Sequence, residues 1–113
     1  MVITGIGIDL EDISRFRDMP FSLNPRFYEK IFTSEEIRYC LDKADPPQHF
    51  AVRFCAKEAF VKATKRTASK LLTNYKLLSI KIIDSKPFIE YNNKTHLLSL
   101  SHDKDKAVAM VVV

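Results

Sequence analysis

The chain has 113 residues, of which 46% are hydrophobic, a size that allows one compact core and is short for two ordinary domains. Its formal net charge of +4 favours an anionic partner such as nucleic acid, a phosphate-rich ligand or an acidic protein. The basic residues are scattered and show no RRM, KH or zinc-finger spacing, so nucleic acid is a less favoured partner than a phosphate-rich ligand or an acidic protein.

Nothing in the sequence indicates export or insertion into a membrane. The apolar start of the chain has no basic region ahead of it and is followed at once by acidic residues, unlike a signal peptide. No apolar segment is long enough to span a bilayer. Cys40 and Cys55 belong to no CxxC motif and no His-rich segment, so we expect a cytoplasmic protein with reduced thiols.

The first predicted element is a strand from Val2 to Leu10. Large apolar residues alternate there with small residues or Asp, the period-two pattern of a strand with one buried face. Gly5 and Gly7 are the only glycines in the chain. We therefore expect either a ligand or a closely packed helix to approach the strand near Asp9.

The middle of the chain is predicted to be helical. Short helices are expected at 12–16 and 25–32. Thr33 and Glu36 have the spacing of a capping box, which starts a helix over 34–41.

The Asp45-Pro46-Pro47 segment ends that helix, and a central helix is predicted from about Gln48 to Thr64. One stripe of this helix is assigned to the core: Val52, Ala56, Ala59, Phe60 and Ala63. Phe54 and Val61 fall on the far side of the helical wheel, where a large aromatic side chain needs a second surface to cover it. We therefore expect an oligomer or a protein partner on that side.

The last third of the chain is predicted to form short strands joined by polar turns. The strands are expected at 77–83, 88–91, 97–101 and 107–113, with turns at 84–87 and 103–106. One early strand, a helical middle and several late strands predict an α+β domain in which helices pack on an antiparallel sheet.

Asp9 and Glu58 are the candidate metal ligands. Glu58 precedes Lys62 by four residues, so it could simply form a helix-stabilising ion pair worth ~0.2–0.5 kcal/mol. Together with Asp9, it instead supplies the one or two carboxylates that Mg²⁺ takes from proteins, leaving other positions to water and phosphate oxygens. Nearby lysines could neutralise phosphates: Lys57, Lys62 and Lys65.

Ser101 and His102 close a predicted strand just before a turn, where a hydroxyl and an imidazole could contact a ligand. A strand-end histidine can equally be an ordinary surface residue. No Ser/His/Asp arrangement and no glycine-rich phosphate loop is recognisable. Phosphate binding is therefore expected from side chains and helix ends.

These segments resemble the holo-acyl-carrier-protein synthases, the small trimeric branch of the 4′-phosphopantetheinyl transferases. The resemblance covers the whole chain and implies their fold, as a single domain over 1–113. It rests on three motifs: Gly5-Ile6-Gly7-Ile8-Asp9, Arg53-Phe54-Cys55-Ala56-Lys57-Glu58-Ala59-Phe60-Val61-Lys62-Ala63, and Ser99-Leu100-Ser101-His102.

The resemblance implies transfer of the phosphopantetheine arm of coenzyme A to a serine of apo acyl carrier protein, with release of adenosine 3′,5′-bisphosphate. Asp9 and Glu58 would hold Mg²⁺ against the pyrophosphate, and either Glu58 or a metal-bound water would take the serine proton. The implied contacts to coenzyme A are Lys57, Lys62, Ser101 and His102.

The resemblance also implies a homotrimer with sites between neighbouring subunits, and docking of the acidic carrier on a surface formed by Arg15, Met19, Arg26 and Phe27. The chain lacks the glycines that the family usually carries at 64–68 and 84–87. Two other hypotheses therefore stay open. One is a non-catalytic basic module that binds RNA or an acidic protein, and the other is a degenerate member that binds coenzyme A without transfer.

Overall fold

The computed structural model describes residues 2–64 and 74–113. In chain order the elements are β1 (Ile6–Asp12), α1 (Ser14–Arg17), α2 (Pro25–Ile31), α3 (Ser34–Leu41), α4 (Pro46–Ala63), a 3₁₀ turn (Tyr75–Leu77), β2 (Ser79–Ile83), β3 (Lys86–Tyr91), β4 (Lys94–His102) and β5 (Lys106–Val112). The α+β prediction is confirmed. Lys65 and most of the 64–68 loop lie outside the described residues.

The five strands form one antiparallel sheet in the order β1-β5-β4-β3-β2. The first strand therefore pairs with the last, and β2 to β5 form a meander. Its two tight hairpins place both turn residues at positive φ, with Asp84 at 51° and Ser85 at 66° in the first. Two-residue turns of this kind match the twist of the strands. The 84–87 turn thus forms with Ser85 where the family usually has glycine.

Helix α4 lies directly on β1. A Cβ atom on Gly5 would come within 2.1 Å of the Ala63 carbonyl oxygen, and one on Gly7 within 1.9 Å of the Ala59 carbonyl oxygen. Of the two explanations for these glycines, the closely packed helix is therefore the one seen. Gly7, Asp9 and Glu11 alternate along β1 on the face toward α4.

The other face of β1 carries Ile6, Ile8 and Leu10, which are all exposed. Strand register extends this surface across the sheet: Ile8 pairs with Met110 of β5, which pairs with Ser99 of β4. The surface is mostly apolar, and we call the side chains of Ile6, Ile8, Leu10, Leu97 and Met110 the outer sheet patch.

Helix α4 is surrounded by the rest of the chain. Phe54 is only 5% exposed, because Phe16 of α1 and Tyr75 of the 3₁₀ turn cover it with ring centroids 5.8 Å and 6.1 Å away. Val61 is also buried. The expectation that another molecule must cover Phe54 and Val61 is therefore wrong, since elements of the same chain do so.

Cys40 and Cys55 are both buried as free thiols. Burial raises the pKa of the Cys40 thiol to about 12 and also raises that of Cys55. Within residues 2–64 and 74–113, the longest helix is neither apolar nor uncharged enough to cross a bilayer, and no other helix there qualifies.

Candidate active site

Asp9 lies in the middle of β1 with its carboxylate buried beneath α4. Its Oδ1 atom accepts a hydrogen bond from Lys62 Nζ at 3.0 Å, which raises the pKa of Lys62. Lys62 Nζ also donates to the Ile8 carbonyl oxygen at 3.0 Å. The ion pair of Lys62 therefore crosses from helix to strand, rather than running along the helix to Glu58.

The second oxygen of Asp9 is unusual. Oδ2 is buried and has no hydrogen-bond partner among the described residues. Buried polar atoms normally have partners, and an unpaired carboxylate oxygen in a protein interior is costly. A bound cation would satisfy it.

Glu58 lies one helical turn before Lys62 on the half-buried edge of α4. Its Oε1 atom accepts a hydrogen bond from the Tyr75 hydroxyl at 2.8 Å. Burial, and then this bond, raise the pKa of Tyr75, so its hydroxyl stays protonated as a donor. One oxygen of Glu58 is thus held in place.

Glu11 belongs to the same cluster and was missed from the sequence. It follows Asp9 by two residues on the same face of β1. Its pKa is raised to about 7, first by burial and then by the neighbouring carboxylates of Asp9 and Glu58. Arg15, whose Nη1 is 3.5 Å from Glu11 Oε1, opposes this rise in pKa. Period-two spacing from Asp9 was the available signal.

The donor set fits a hard cation with few protein ligands. Across the described ranges, no cluster of three or more His, Cys, Asp or Glu side chains is close enough to hold a metal. Asp9 and Glu58 both interact with the charge of Lys62, and Mg²⁺ commonly takes one or two carboxylates and completes its shell with water and phosphate. Asp9 Oδ2, which has no partner among the described residues, is available to such a cation.

The Lys57 ammonium group bonds elsewhere than to the carboxylates of Asp9 and Glu58. Its side chain is completely buried, and Nζ donates to Glu36 Oε1 at 2.7 Å, to the Ile31 carbonyl at 2.8 Å and to the Tyr75 carbonyl at 3.2 Å. Burial lowers the pKa of Lys57, and the Glu36 carboxylate opposes that shift. All three ammonium protons have acceptors, so we correct the assignment of Lys57 as a phosphate contact.

Within one chain, Ser101 is on the opposite face of the sheet from Asp9, whereas His102 is on the same face as Asp9, near the start of α4. Ser101 lies opposite Val108, which lies opposite Leu10, so it belongs to the outer face of the sheet. His102 interacts electrostatically with Asp45 and His49 at the start of α4. The 18 residues of α4 span about 27 Å, and Lys62 lies at the other end.

The residues assigned to carrier docking lie close together near α1 and α2. The Arg15 guanidinium lies over the rings of Phe27 and Phe54, 5.8 Å and 5.1 Å from their centroids. The Met19 carbonyl accepts from the Tyr28 hydroxyl at 2.6 Å, and Arg26 is exposed on α2. Because Arg15 also borders Glu11, this surface adjoins the carboxylate cluster.

An open groove of about 650 Å³ adjoins the site at the end of α4. It is lined by residues 4–6, by 62–64 and by Val113. Ligand sites commonly have volumes of roughly 300–1,000 Å³. Lys62 is shared between this groove and the Asp9 carboxylate.

The fold is a helix-covered antiparallel sheet, with Asp9 on its first strand and Glu58 on its central helix. The sequence model of the 4′-phosphopantetheinyl transferase superfamily matches residues 5–112, and the chain belongs to this superfamily.

Named relatives that align over nearly their whole length indicate which members of the superfamily this chain is similar to. The holo-[acyl-carrier-protein] synthase of Geobacter metallireducens is 39% identical, over 99% of this chain and 98% of the relative. A Bacillus anthracis holo-(acyl-carrier-protein) synthase, solved in complex with CoA (3′,5′-ADP), is 30% identical with a TM-score of 0.78, covering 99% and 96% of the two chains. The Helicobacter pylori enzyme in complex with coenzyme A is 27% identical with a TM-score of 0.80, covering 96% and 99%.

Proposed function

We propose that this chain, acting as one domain, transfers the phosphopantetheine arm of coenzyme A to a serine of apo acyl carrier protein. The products are holo acyl carrier protein and adenosine 3′,5′-bisphosphate. Full-length relatives that carry the synthase name support the reaction, and solved relatives in complex with coenzyme A support the donor. The observation that carries the proposal is that Asp9 Oδ2 is buried without a hydrogen-bond partner in residues 2–64 and 74–113, close to Glu58 and Lys62.

In this proposal Asp9 and Glu58 hold Mg²⁺, which when bound stabilises the charge that develops on the pyrophosphate. The carrier serine Oγ bonds to the β-phosphorus, and the bond from that phosphorus to the bridging oxygen breaks. The electron pair leaves with adenosine 3′,5′-bisphosphate, and the serine proton passes to Glu58 or to a water molecule. Lys62 borders the groove with a side chain that is 54% exposed, and its ammonium group would contact a phosphate there.

The acidic carrier protein is proposed to dock beside Arg15. This guanidinium lies on the rings of Phe27 and Phe54 and is therefore presented from a rigid aromatic base. A cation fixed in this way pairs with a carboxylate at a smaller entropy cost than a free side chain would. Since Arg15 also approaches Glu11, a docked carrier would be next to the carboxylate cluster.

A homotrimer is proposed from the outer sheet patch. Ile6, Ile8 and Leu10 are 65%, 59% and 61% exposed, and a continuous apolar face of this kind marks an interaction surface. Ser101 is on that same face, whereas Asp9 is on the opposite face. If both residues contact coenzyme A, a neighbouring copy must bring its own Ser101 to this chain's site.

The transfer is tested by the mass of an apo acyl carrier protein after incubation with this protein, coenzyme A and Mg²⁺, with EDTA as control. We expect a gain of one phosphopantetheine that EDTA suppresses. Asp9→Asn should abolish the gain, whereas the matched control Asp12→Asn, an exposed carboxylate paired with Lys106 on the other face of β1, should retain it.

The other hypotheses give different results in the same experiment. A protein that binds coenzyme A but gives no mass gain with several carriers is a degenerate member. A protein that binds RNA without Mg²⁺, and releases it steeply as salt rises, is a binding module. Either result would overturn the proposed transfer. The cytoplasmic location expected from the sequence stays a prediction.

The oligomer is tested by light scattering after gel filtration. Met110→Lys places a charge in the outer sheet patch, where Met110 is 40% exposed, and is expected to convert trimer to monomer. Leu23→Lys changes a residue that is 79% exposed between α1 and α2, and should leave the trimer intact. A wild-type monomer at micromolar concentration would contradict the trimer.

A further inference from the structure

Tyr75 is held by the two residues at the centre of α4. Its carbonyl oxygen accepts from Lys57 Nζ at 3.2 Å, and its hydroxyl donates to Glu58 Oε1 at 2.8 Å. Its ring meets the Phe54 ring edge-on, at an interplanar angle of 88°. Consecutive residues of one helix therefore fix both the main chain and the hydroxyl of Tyr75.

The Lys57 contact is itself anchored deep in the protein. The same ammonium group bonds Glu36, whose Oε2 accepts from the Ile80 main-chain nitrogen at 2.8 Å. Glu36 also accepts from the Thr33 nitrogen at 2.8 Å. The position of the Tyr75 backbone is thus tied to α3, α4 and the start of the sheet.

A carboxylate on a partly exposed helix edge has three rotatable side-chain bonds and can turn toward water. The Tyr75 hydroxyl removes that freedom by a charge-assisted bond to one oxygen of Glu58. A phenol is protonated at neutral pH, so the Tyr75 hydroxyl can donate this bond to Glu58. In the part of the chain that the structure describes, the Tyr75 bond occupies only Oε1 of Glu58, so the second oxygen can bind a cation or a phosphate-bound water.

We propose that Tyr75 is a positioning residue that fixes the Glu58 carboxylate toward Asp9, and that Lys57 acts on the site only by holding Tyr75. The inference rests on the proposed function, because the ligand of this carboxylate pair is taken to be a divalent cation. Groups that orient a metal ligand typically change metal affinity or activity about 10–100-fold when they are removed.

The test compares Tyr75→Phe with Tyr75→Leu. Phenylalanine keeps the ring against Phe54 and removes only the hydroxyl, whereas leucine removes both. A positioning role predicts that Tyr75→Phe already weakens Mn²⁺ binding to the protein alone about 10-fold by calorimetry, with the melting temperature unchanged. A purely structural role predicts wild-type affinity in Tyr75→Phe and a lower melting temperature in Tyr75→Leu.

Tyr91→Phe is the matched control, because the Tyr91 ring packs on Phe60, 5.6 Å between centroids, on another side of α4. It should bind Mn²⁺ as the wild type does. In the transfer assay, Tyr75→Phe should raise the Mg²⁺ concentration for half-maximal rate about 10-fold, with a smaller change in rate at saturating Mg²⁺.

The outcomes separate this inference from the proposed function. An active wild type whose Mg²⁺ and Mn²⁺ responses are unchanged by Tyr75→Phe overturns the positioning role alone. A wild type that binds Mn²⁺ without transfer overturns the proposed function, and the affinity of Tyr75→Phe still decides the role of Tyr75. A wild type that neither binds Mn²⁺ nor transfers overturns both.

Discussion

Lys57→Met tests the buried placement of Lys57, the residue before Glu58 on α4, most directly. The variant keeps a long apolar stem but removes the ammonium group from a site where Lys57 is 0% and Glu36 is 3% exposed. Glu36 is left as a buried charge that keeps its bonds from the Thr33 and Ile80 nitrogens but loses its counterion. Breaking a buried ion pair in this way typically costs about 3–5 kcal/mol.

That cost is a large part of the stability of a small domain, which is usually about 5–15 kcal/mol. At about 4 °C for each kcal/mol in a domain of this size, the melting temperature should fall by roughly 12–20 °C. Urea unfolding followed by circular dichroism gives the free energy directly. Adding Glu36→Gln should cost less than the two single changes together, by about 1–3 kcal/mol, because the two residues interact.

Lys62→Met is the contrasting variant, since the Lys62 side chain is 54% exposed although its partner Asp9 is only 10% exposed. Its loss should cost less stability than Lys57→Met does, because one member of the pair is in water, while the transfer rate falls. The opposite pattern would refute the reasoning. If Lys57→Met unfolds like the wild type but raises the KM for coenzyme A, Lys57 binds phosphate and its buried placement is incorrect.

Two further changes test the strand beneath α4. The folded pKa of Glu11, about 7, lies above its ordinary value of 4.5, so its stabilising contribution is complete below pH 4.5 and is lost as pH rises through 7. Between pH 5 and 8 in EDTA, the unfolding free energy of the wild type should fall by about 1–2 kcal/mol more than that of Glu11→Gln, a figure reduced because Glu11 is partly exposed. If the two proteins lose stability equally over this pH range, the carboxylate cluster is contradicted. Gly7→Ala would place Cβ 1.9 Å from the Ala59 carbonyl oxygen, so we expect a loss of about 3 kcal/mol or more in urea unfolding, and a near-neutral result would disprove the close packing.

Local signals predicted local structure well. The capping box is the clearest case: the Glu36 nitrogen donates to Thr33 Oγ1 at 3.2 Å, and the Thr33 nitrogen donates to Glu36 Oε1 at 2.8 Å. Both bonds join residues three apart, so tertiary contacts are not needed to specify them. The predicted β1, by contrast, began four residues too early and ended two too soon, because Glu11 and Asp12 are acidic and still pair with β5.

The role of Lys57 could not be obtained from a helical wheel. The wheel places Lys57 beside the core stripe, where an exposed lysine and a buried one look alike. Its burial depends on the Tyr75–Leu77 turn, which returns to α4 after the 65–73 segment, and on the carbonyl at the end of α2. The same return of the chain helps to cover Phe54, so it contributes to both incorrect expectations.

The case for a degenerate member depended on two missing glycines, and the structure bears on the one at 84–87. Ser85 adopts φ of 66° and completes the hairpin without glycine. This hairpin joins β2 and β3, and four strand spacings separate β2 from β1, roughly 19 Å. Ser85→Gly should therefore relieve backbone strain, raising stability by up to about 1 kcal/mol, without changing the KM for coenzyme A. If the KM of Ser85→Gly for coenzyme A falls severalfold in steady-state assays, the absent glycine does limit coenzyme A binding. That result would support the hypothesis of a degenerate family member.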